Sequence, residues 1–137
     1  MESEINAFYP EVLGNQKYLS AFDTISSKFL WNLEIANPIN FISVDTNSNH
    51  IIVITSKDEI LVIDLTGKIV SKFTLHLDMF ETITNIMVNK NIYVFTSIYN
   101  LCTFDTSGVK LGETTLHMNG RILSVIDNVI YLMHSRW

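Results

Sequence analysis

The chain has 137 residues with a formal net charge of -5, and 47% of its residues are hydrophobic while 17% are charged. This length suits one domain with its own core, residues 1–137, and the apolar content excludes an intrinsically disordered chain. The nine lysine and arginine residues are scattered along the sequence. Because phosphate binding needs clustered basic side chains, nucleic acid and anionic membranes are disfavoured as partners.

The sequence also indicates the compartment. Its one cysteine, Cys102, excludes an intrachain disulfide, and its acidic start lacks the basic and then apolar pattern of a signal peptide. No run approaches the roughly 20 apolar residues that a membrane helix needs. These features predict a cytoplasmic protein in a reducing environment.

Twelve short strands are predicted in chain order, because apolar alternation and turn residues recur and helical periodicity is absent. Residues 1–17 are expected to form an N-terminal arm or one extra strand. The predicted strands are 18–22, 28–35, 39–45, 50–56, 60–65, 68–76, 82–88, 91–96, 101–105, 109–117, 121–126 and 129–134.

These strands belong to a repeat of 41 residues, the spacing that separates Asp23 from Asp64 and Asp64 from Asp105. At the same offset, residues 51–56 (IIVITS) align with residues 92–97 (IYVFTS), and a third copy of this strand closes the chain. The repeat divides the domain into units of four strands. The predicted units are 18–38 together with 119–137, then 39–80, then 81–118.

The apolar pattern predicts how the units pack. Residues 51–54 and 60–63 are apolar without interruption, so both faces of these strands must be covered. In the last strand of the middle unit, one face is expected to be apolar, with Ile69, Phe73 and Leu75, and the other wet, with Lys68, Lys72 and Thr74. Four-stranded sheets stacked with a period of about 41 residues are typical of β-propeller blades. We therefore predict an all-β fold of three four-stranded antiparallel blades.

A short motif near the start resembles a known family. Residues 21–31 (AFDTISSKFLW) are similar to the tryptophan-docking motif of quinoprotein-like β-propellers, Ala-x-Asp-x-x-Thr-Gly-Lys-x-x-Trp. The copy at 62–71 (VIDLTGKIVS) is one residue shorter and has Ser71 in the tryptophan position, and the copy at 103–112 (TFDTSGVKLG) has neither lysine nor tryptophan in place. The resemblance implies that Trp31 docks between blades.

The periodic aspartates and glycines are interpreted as turn residues rather than as a site. An aspartate before a turn satisfies backbone N–H groups of that turn, and glycine supplies the positive φ that the turn needs. The residues predicted to build these turns are Asp23, Asp64, Gly67, Asp105 and Gly108.

Three blades are too few to close a ring, since stable propellers have about four to eight. The chain begins on the late strands of a blade and ends on early ones, so we expect a homodimer that forms one six-bladed ring. In it, residues 121–134 of each chain pair with residues 18–35 of the other. The alternatives are an open arc capped by another protein and a detached subunit of a larger propeller.

Catalytic and metal chemistry is not expected. His76 and His117 share a repeat position on neighbouring blades, His50 and His134 are isolated, and no group has metal-ligand spacing. Cys102 is predicted to be a small apolar strand residue. Phosphate-binding glycine loops and nucleophile elbows are absent, and so are the paired cysteines of the quinone-dependent enzymes. We predict no catalytic residue, no metal and no cofactor.

Positions at which the repeats differ indicate a partner surface. The tip at 57–59 is Lys-Asp-Glu, whereas its counterpart at 98–100 is Ile-Tyr-Asn, and the connection at 77–81 carries Met and Phe. Apolar side chains at such tips either contact a partner or pack under neighbouring loops. The predicted partner-binding residues are Asp78, Met79, Phe80, Ile98, Tyr99 and Trp137.

The function expected from these patterns is a non-catalytic protein–protein interaction module. A more specific form is a small acidic inhibitor, such as an immunity protein that masks a basic effector. The rival is an enzyme or small-ligand binder that uses the central channel. Its candidate channel residues are Asn40, Ser43, Thr84, Asn85 and Ser124.

Overall fold

A computed structural model describes residues 16–116 and 120–134, with the side chains of the last range given for 124–133. Most of the predicted N-terminal arm, His117 and Trp137 lie outside these ranges. Within them every regular element is a β-strand and there is no helix, so the all-β prediction is confirmed. Predicted strand bounds match the observed ones closely, and those of the strands Ile39–Asp45, Asn91–Thr96 and Val129–His134 are identical.

The twelve strands of the described ranges follow the repeat in chain order. They are β1 (Tyr18–Asp23), β2 (Lys28–Glu34), β3 (Ile39–Asp45), β4 (His50–Thr55), β5 (Glu59–Asp64), β6 (Ile69–Thr74), β7 (Ile83–Asn89), β8 (Asn91–Thr96), β9 (Asn100–Phe104), β10 (Lys110–Thr115), β11 (Gly120–Ile126) and β12 (Val129–His134).

The strands form two complete blades and two half-blades, all antiparallel. Strands β3 to β6 make one four-stranded sheet and β7 to β10 the other, each in sequential order. The pairs β1–β2 and β11–β12 are separate two-stranded sheets, so the described strands of the predicted unit 18–38 plus 119–137 do not form one sheet. The first strands of successive blades, β3, β7 and β11, run side by side at the inner edge of the stack.

Three apolar clusters hold the four sheets face to face. In β4, Ile52 and Ile54 belong to the cluster against the β7–β10 sheet, while Val53 belongs to the cluster against β1–β2. All three side chains are 0% exposed. Both faces of this central strand are therefore covered by neighbouring sheets, as its uninterrupted apolar run predicted.

A bulge in β6 corrects one prediction about its faces. Ile63 pairs with Ile69 and Val62 pairs with Ser71, which leaves Val70 as the extra residue. An extra residue reverses the alternation of side chains beyond it. Ile69 consequently lies on the face opposite Phe73 and is 39% exposed, so the prediction that they share a face was wrong.

Candidate functional site

The connection between the two complete blades is longer than the one before it. The backbone N–H of Ile35 donates to the carbonyl of Lys17 (2.6 Å), and that of Leu75 donates to the carbonyl of Asp58 (2.8 Å), which marks equivalent points at the end of each outer strand. From these points the chain reaches the next inner strand in three residues (36–38) or in seven (76–82). The longer connection carries the predicted loop residues.

Two of these loop residues are among the most exposed apolar side chains of the described protein. Met79 is 83% exposed and Phe80 is 90% exposed. Phe80 also has φ 67, a conformation that a bulky side chain rarely adopts. The turn is closed by the N–H of Glu81, which donates to the carbonyl of Asp78 (3.0 Å). The backbone is thus held in a strained form that presents the ring to solvent.

The neighbouring tip, between β8 and β9, presents two more apolar side chains. Ile98 is 42% exposed and Tyr99 is 38% exposed, and Tyr99 has φ 65. The four side chains Met79, Phe80, Ile98 and Tyr99 are called here the end platform. They come from two segments that sequence separates but that lie at the same end of one blade.

Glu81 joins the two segments of the end platform. Its carboxylate accepts from the hydroxyl of Thr96 (2.6 Å) and from the backbone N–H of Asp78 (2.9 Å). The N–H of Ser97 donates to the carbonyl of Thr82 (2.8 Å), which fixes the loop beside the tip. Sequence reasoning missed the role of Glu81, because only the folded register brings it opposite Thr96.

The corresponding tip of the preceding blade is charged rather than apolar. Asp58, the counterpart of Tyr99, has φ 58, and partial burial raises the pKa of its carboxyl. Beside it, hydrogen bonds from the Asn37 amide and from Lys72 lower the pKa of Glu59. The end platform therefore has carboxylates next to it on the same end of the stack.

The periodic aspartates lie in turns at the opposite end of the blades. The Asp64 carboxylate accepts from the N–H groups of Thr66 (2.9 Å) and Lys68 (3.1 Å). Asp105 does the same for Ser107 and Val109, both at 2.9 Å. Hydrogen bonds within each turn lower the pKa values of Asp23, Asp64 and Asp105. Each carboxylate serves its own turn.

Aromatic rings on outer strands contact the glycines of these turns. The indole of Trp31 donates to the carbonyl of Leu65 on the next blade (2.9 Å) and lies against Gly67, and the ring of Phe73 lies against Gly108 in the same way. Phe73 was not predicted as a site residue. It stands two residues beyond Ser71, on the same face of the strand, and that spacing is the signal that could have identified it.

The predicted channel residues all lie on the innermost strands β3, β7 and β11. The hydroxyl of Thr84 donates to the carbonyl of Phe95 (3.0 Å), so it serves the sheet. These strands run side by side, as a channel wall would. Asn40, Ser43, Asn85 and Ser124 are the other residues of this set.

A cavity of about 560 Å³ opens at the mouth of this wall, among the hairpins that follow β3, β7 and β11. Below it, the carboxylate of Asp45 is 2% exposed and accepts from the N–H groups of Asn47 and Lys90, both at 3.0 Å. That carboxylate holds two hairpins together. The polar lining consists mainly of Asn47, Ser48, Asn89, Lys90, Asp127 and Asn128.

The structure also bears on metal binding and on the reactivity of the Cys102 thiol. Among the described residues, no three His, Cys, Asp or Glu side chains gather as a metal site. Cys102 is half-buried in β9, and burial together with the Glu113 carboxylate raises the pKa of its thiol, which disfavours the nucleophilic thiolate. No helix in the part of the chain that the structure describes could span a membrane.

Comparison with known proteins places the fold. No family model matches the chain, and no curated protein matches it. Among solved structures, it is similar to BamB from Moraxella catarrhalis, with a TM-score of 0.58 and 17% identity over 88% of this chain and 41% of that one. It is also similar to apo AztD from Citrobacter koseri, with a TM-score of 0.59 and 20% identity over 74% of this chain and 29% of that one.

Both of these proteins are β-propellers. The fold of this chain is a partial β-propeller. It spans less than half the length of either propeller, in agreement with two complete blades and two half-blades. At these identities the likeness shows the fold alone.

Proposed function

We propose that the chain is a non-catalytic protein-binding module of the propeller type and that the end platform is its contact surface. The observation that carries the proposal is Phe80, which is 90% exposed at φ 67. Left-handed backbone at such a residue costs on the order of 1–3 kcal/mol, and in the part of the chain that the structure describes the ring gains almost no burial to offset this cost. A partner pocket that buries the ring would repay it.

The platform has the composition of an interface centre. Aromatic and methionine side chains are enriched where interfaces bury most surface, and a few such anchors dominate the binding energy. Met79, Phe80 and Tyr99 supply three of them on two joined segments, and Ile98 adds a further exposed apolar side chain. We infer a partner with an apolar cleft that receives these side chains.

The charge of the chain favours a basic partner. The net charge is -5, and carboxylates such as Asp58 and Asp78 lie beside the platform. Complementary charge speeds association and suppresses wrong partners. This supports the finer proposal that the chain is an acidic inhibitor, of the immunity-protein kind, that masks a basic effector.

Kinship with quinoprotein-like propellers is proposed on a separate ground. The motif at 21–31 and the contact of Trp31 with the Leu65 carbonyl, at 2.9 Å, support it. The sequence has one cysteine and therefore no cysteine pair, which is consistent with a member of this class that keeps the blade scaffold but has no quinone chemistry.

A photo-crosslinking amino acid at position 80 tests the proposed surface in cells that produce the protein naturally. The matched control places the same amino acid at Val109, which is 55% exposed in a turn at the opposite end of the same blade. We expect one protein to be captured from position 80 and not from position 109. Equal capture from both positions would contradict the proposal.

The captured protein is then purified and titrated against variants. Because αL backbone suits asparagine, Phe80→Asn removes the ring without disturbing the loop. Combined with Met79→Ser it should weaken binding by about thirtyfold or more, the effect of losing a hot-spot anchor. Val109→Ser should leave the affinity unchanged. An unchanged affinity for the loop variant would refute the platform as the site, and binding that is insensitive to salt would remove the basic-effector form.

A further inference from the structure

We propose that a second copy of this chain completes both half-blades, so that two chains close one six-bladed ring. This proposal concerns the two ends of the stack and is independent of the end platform. It rests on positions of the repeat whose side chains are buried between sheets within the stack but exposed at the two ends of the stack.

One end of the stack exposes positions that are core positions elsewhere. Val125 pairs with Ile130 in the last half-blade as Val88 pairs with Ile92 in the preceding blade. Tyr131 and Met133 of β12 therefore occupy the places of Tyr93 and Phe95 of β8. Tyr93 and Phe95 are 6% and 1% exposed, and Tyr131 and Met133 are 48% and 54% exposed. Tyr131 and Met133 are called the rear face.

The other end exposes the complementary positions. Ile42 pairs with Val53 as Ile86 pairs with Val94, and Val44 pairs with Ile51 as Val88 pairs with Ile92. Ile86 and Val88 are 8% and 7% exposed because the preceding blade covers them, whereas Ile42 and Val44 are 52% and 53% exposed. Ile42 and Val44 are called the front face.

The two faces are the two sides of one interface that the chain already contains. Between the complete blades, Ile52 and Ile54 share an apolar cluster with Ile86 and Val88. The rear face is the counterpart of Ile52 and Ile54, and the front face is the counterpart of Ile86 and Val88. The rear face of one copy therefore fits the front face of another.

The strand edges are complementary as well. In the complete blades the second and third strands pair on both sides, as β4 and β5 do. Within the described residues, β12 pairs only with β11 and β1 pairs only with β2. Because β11–β12 correspond to the first two strands of a blade and β1–β2 to the last two, pairing β12 with β1 of a second copy makes a four-stranded blade. It also removes both exposed edges.

The outer strands also fit a second copy, but there the glycine lies on the strand and the bulkier residues lie in the turn. Inside the chain, an aromatic ring on each of the first two outer strands, β2 and β6, faces a glycine in the next turn. The third outer strand has Gly112 at the position of Trp31, since Gly112 pairs with Thr103 as Trp31 pairs with Ala21. A Cβ built on Gly112 meets nothing within 4 Å.

The turn that a second copy would bring there is the bulkier one. It is the turn after β1, where Ser27 with φ 57 stands in place of the glycine. It is one residue longer than the other two turns and carries Ile25, which is 94% exposed. The larger turn of a second copy would thus lie against β10 at Gly112, the position that has no side chain. A partner of another kind would have to supply both half-blades and this turn, which a second copy supplies by two-fold symmetry.

The first experiment measures the mass of the intact chain by light scattering at micromolar concentration. We expect the mass of two chains. The mass of one chain would overturn the proposal, whether another segment of the same chain or nothing covers the two faces. A mass of three or more chains would overturn it as well, because six blades need two copies.

The second experiment identifies the contact. The front variant is Ile42→Asp and the rear variant is Met133→Asp, and Val44→Asp and Tyr131→Asp repeat each test. An unpaired carboxylate at a buried contact should weaken self-association by about a hundredfold or more. All four positions are about half exposed in one chain, so circular dichroism should show unchanged strand content.

Mixing the two variants separates ring closure from any other dimer. Each variant alone carries a damaged face at both junctions. A mixed pair has one junction built from two intact faces, so the mixture should dimerise more tightly than either variant alone. A mixture that stays monomeric, or single variants that dimerise as the wild type does, would refute the front-to-rear contact. Neither result touches the crosslinking test at position 80.

Discussion

The indole of Trp31 lies so close to Gly67 of the next blade that a Cβ built on that glycine would come within 2.6 Å of Trp31 Cδ2. The same ring donates its N–H to the carbonyl of Leu65 at 2.9 Å. Gly67 has φ +87, so this turn needs glycine for its backbone and for the space above it. The contact joins the first half-blade to the first complete blade.

Gly67→Ala should therefore destabilise the protein by about 3 kcal/mol, from left-handed backbone strain and from the clash with the ring. The control is the same substitution in a Trp31→Leu background, where the clash is relieved and a cost of about 1 kcal/mol should remain. Urea unfolding measures both. Equal costs in the two backgrounds would show that the ring is not the cause.

Phe73 should contribute to the junction between the complete blades as Trp31 does to the one before. Its ring lies against Gly108, and its centroid is 5.4 Å from that of Phe104. Phe73→Ala should cost about 2–3 kcal/mol, less than for a fully buried ring because Phe73 is half-buried. Val70→Ala, at the bulge of the same strand, should change the free energy of unfolding by less than about 0.5 kcal/mol. Similar effects of both would contradict this role.

Asp45 should be the most costly aspartate to remove. Its carboxylate is 2% exposed and accepts the backbone N–H of Lys90 from the next blade at 3.0 Å. Asp45→Ala leaves that donor and the N–H of Asn47 without their acceptor, at a cost of about 2–3 kcal/mol. Asp64→Ala, in an exposed turn where water replaces the carboxylate, should cost less. Thermal unfolding of both variants ranks them, and the reverse order would contradict the inference.

The turn aspartates should make the fold sensitive to acid. Hydrogen bonds lower the pKa values of Asp64 and Asp105 below the 3.8 of an unperturbed aspartate. A carboxyl whose pKa is depressed by folding adds stability that is complete above its unfolded pKa and is lost as the pH falls through its folded pKa. The urea midpoint should therefore fall as the pH drops below about 4.

The double variant Asp64→Asn and Asp105→Asn provides the control for this pH dependence. Asparagine keeps an acceptor oxygen but does not titrate in this range. Its unfolding midpoint should depend less on pH below about 4 than that of the wild type. An acid limb that is equally steep in both proteins would show that other groups cause it.

Much of the fold followed from local pattern. The spacing of 41 residues and the uninterrupted apolar runs at 51–54 and 60–63 require repeated sheets with both faces covered, and the structure has them. Strand bounds were predicted well because turn residues punctuate them. Ile98 and Tyr99 were predicted from the same repeat, as positions where one copy departs from another, and Met79 and Phe80 as apolar residues in a connecting loop. Their contact with a partner stays a prediction.

What the sequence by itself determined is the repeat, the strands and the need to cover both faces, since these depend on the order of apolar and turn residues along the chain. Only the tertiary structure decided that Phe73 rather than residue 71 meets the next turn, and that Glu81 ties the loop to the tip. The physical reason is that residues 71 and 73 lie on one face of a strand. Strand β2 has its bulge at the equivalent place, Leu30, and yet Trp31, the counterpart of Ser71, is the residue that meets the next turn there. Which of the two positions reaches the neighbouring blade therefore depends on the side chain present and on how the two sheets pack.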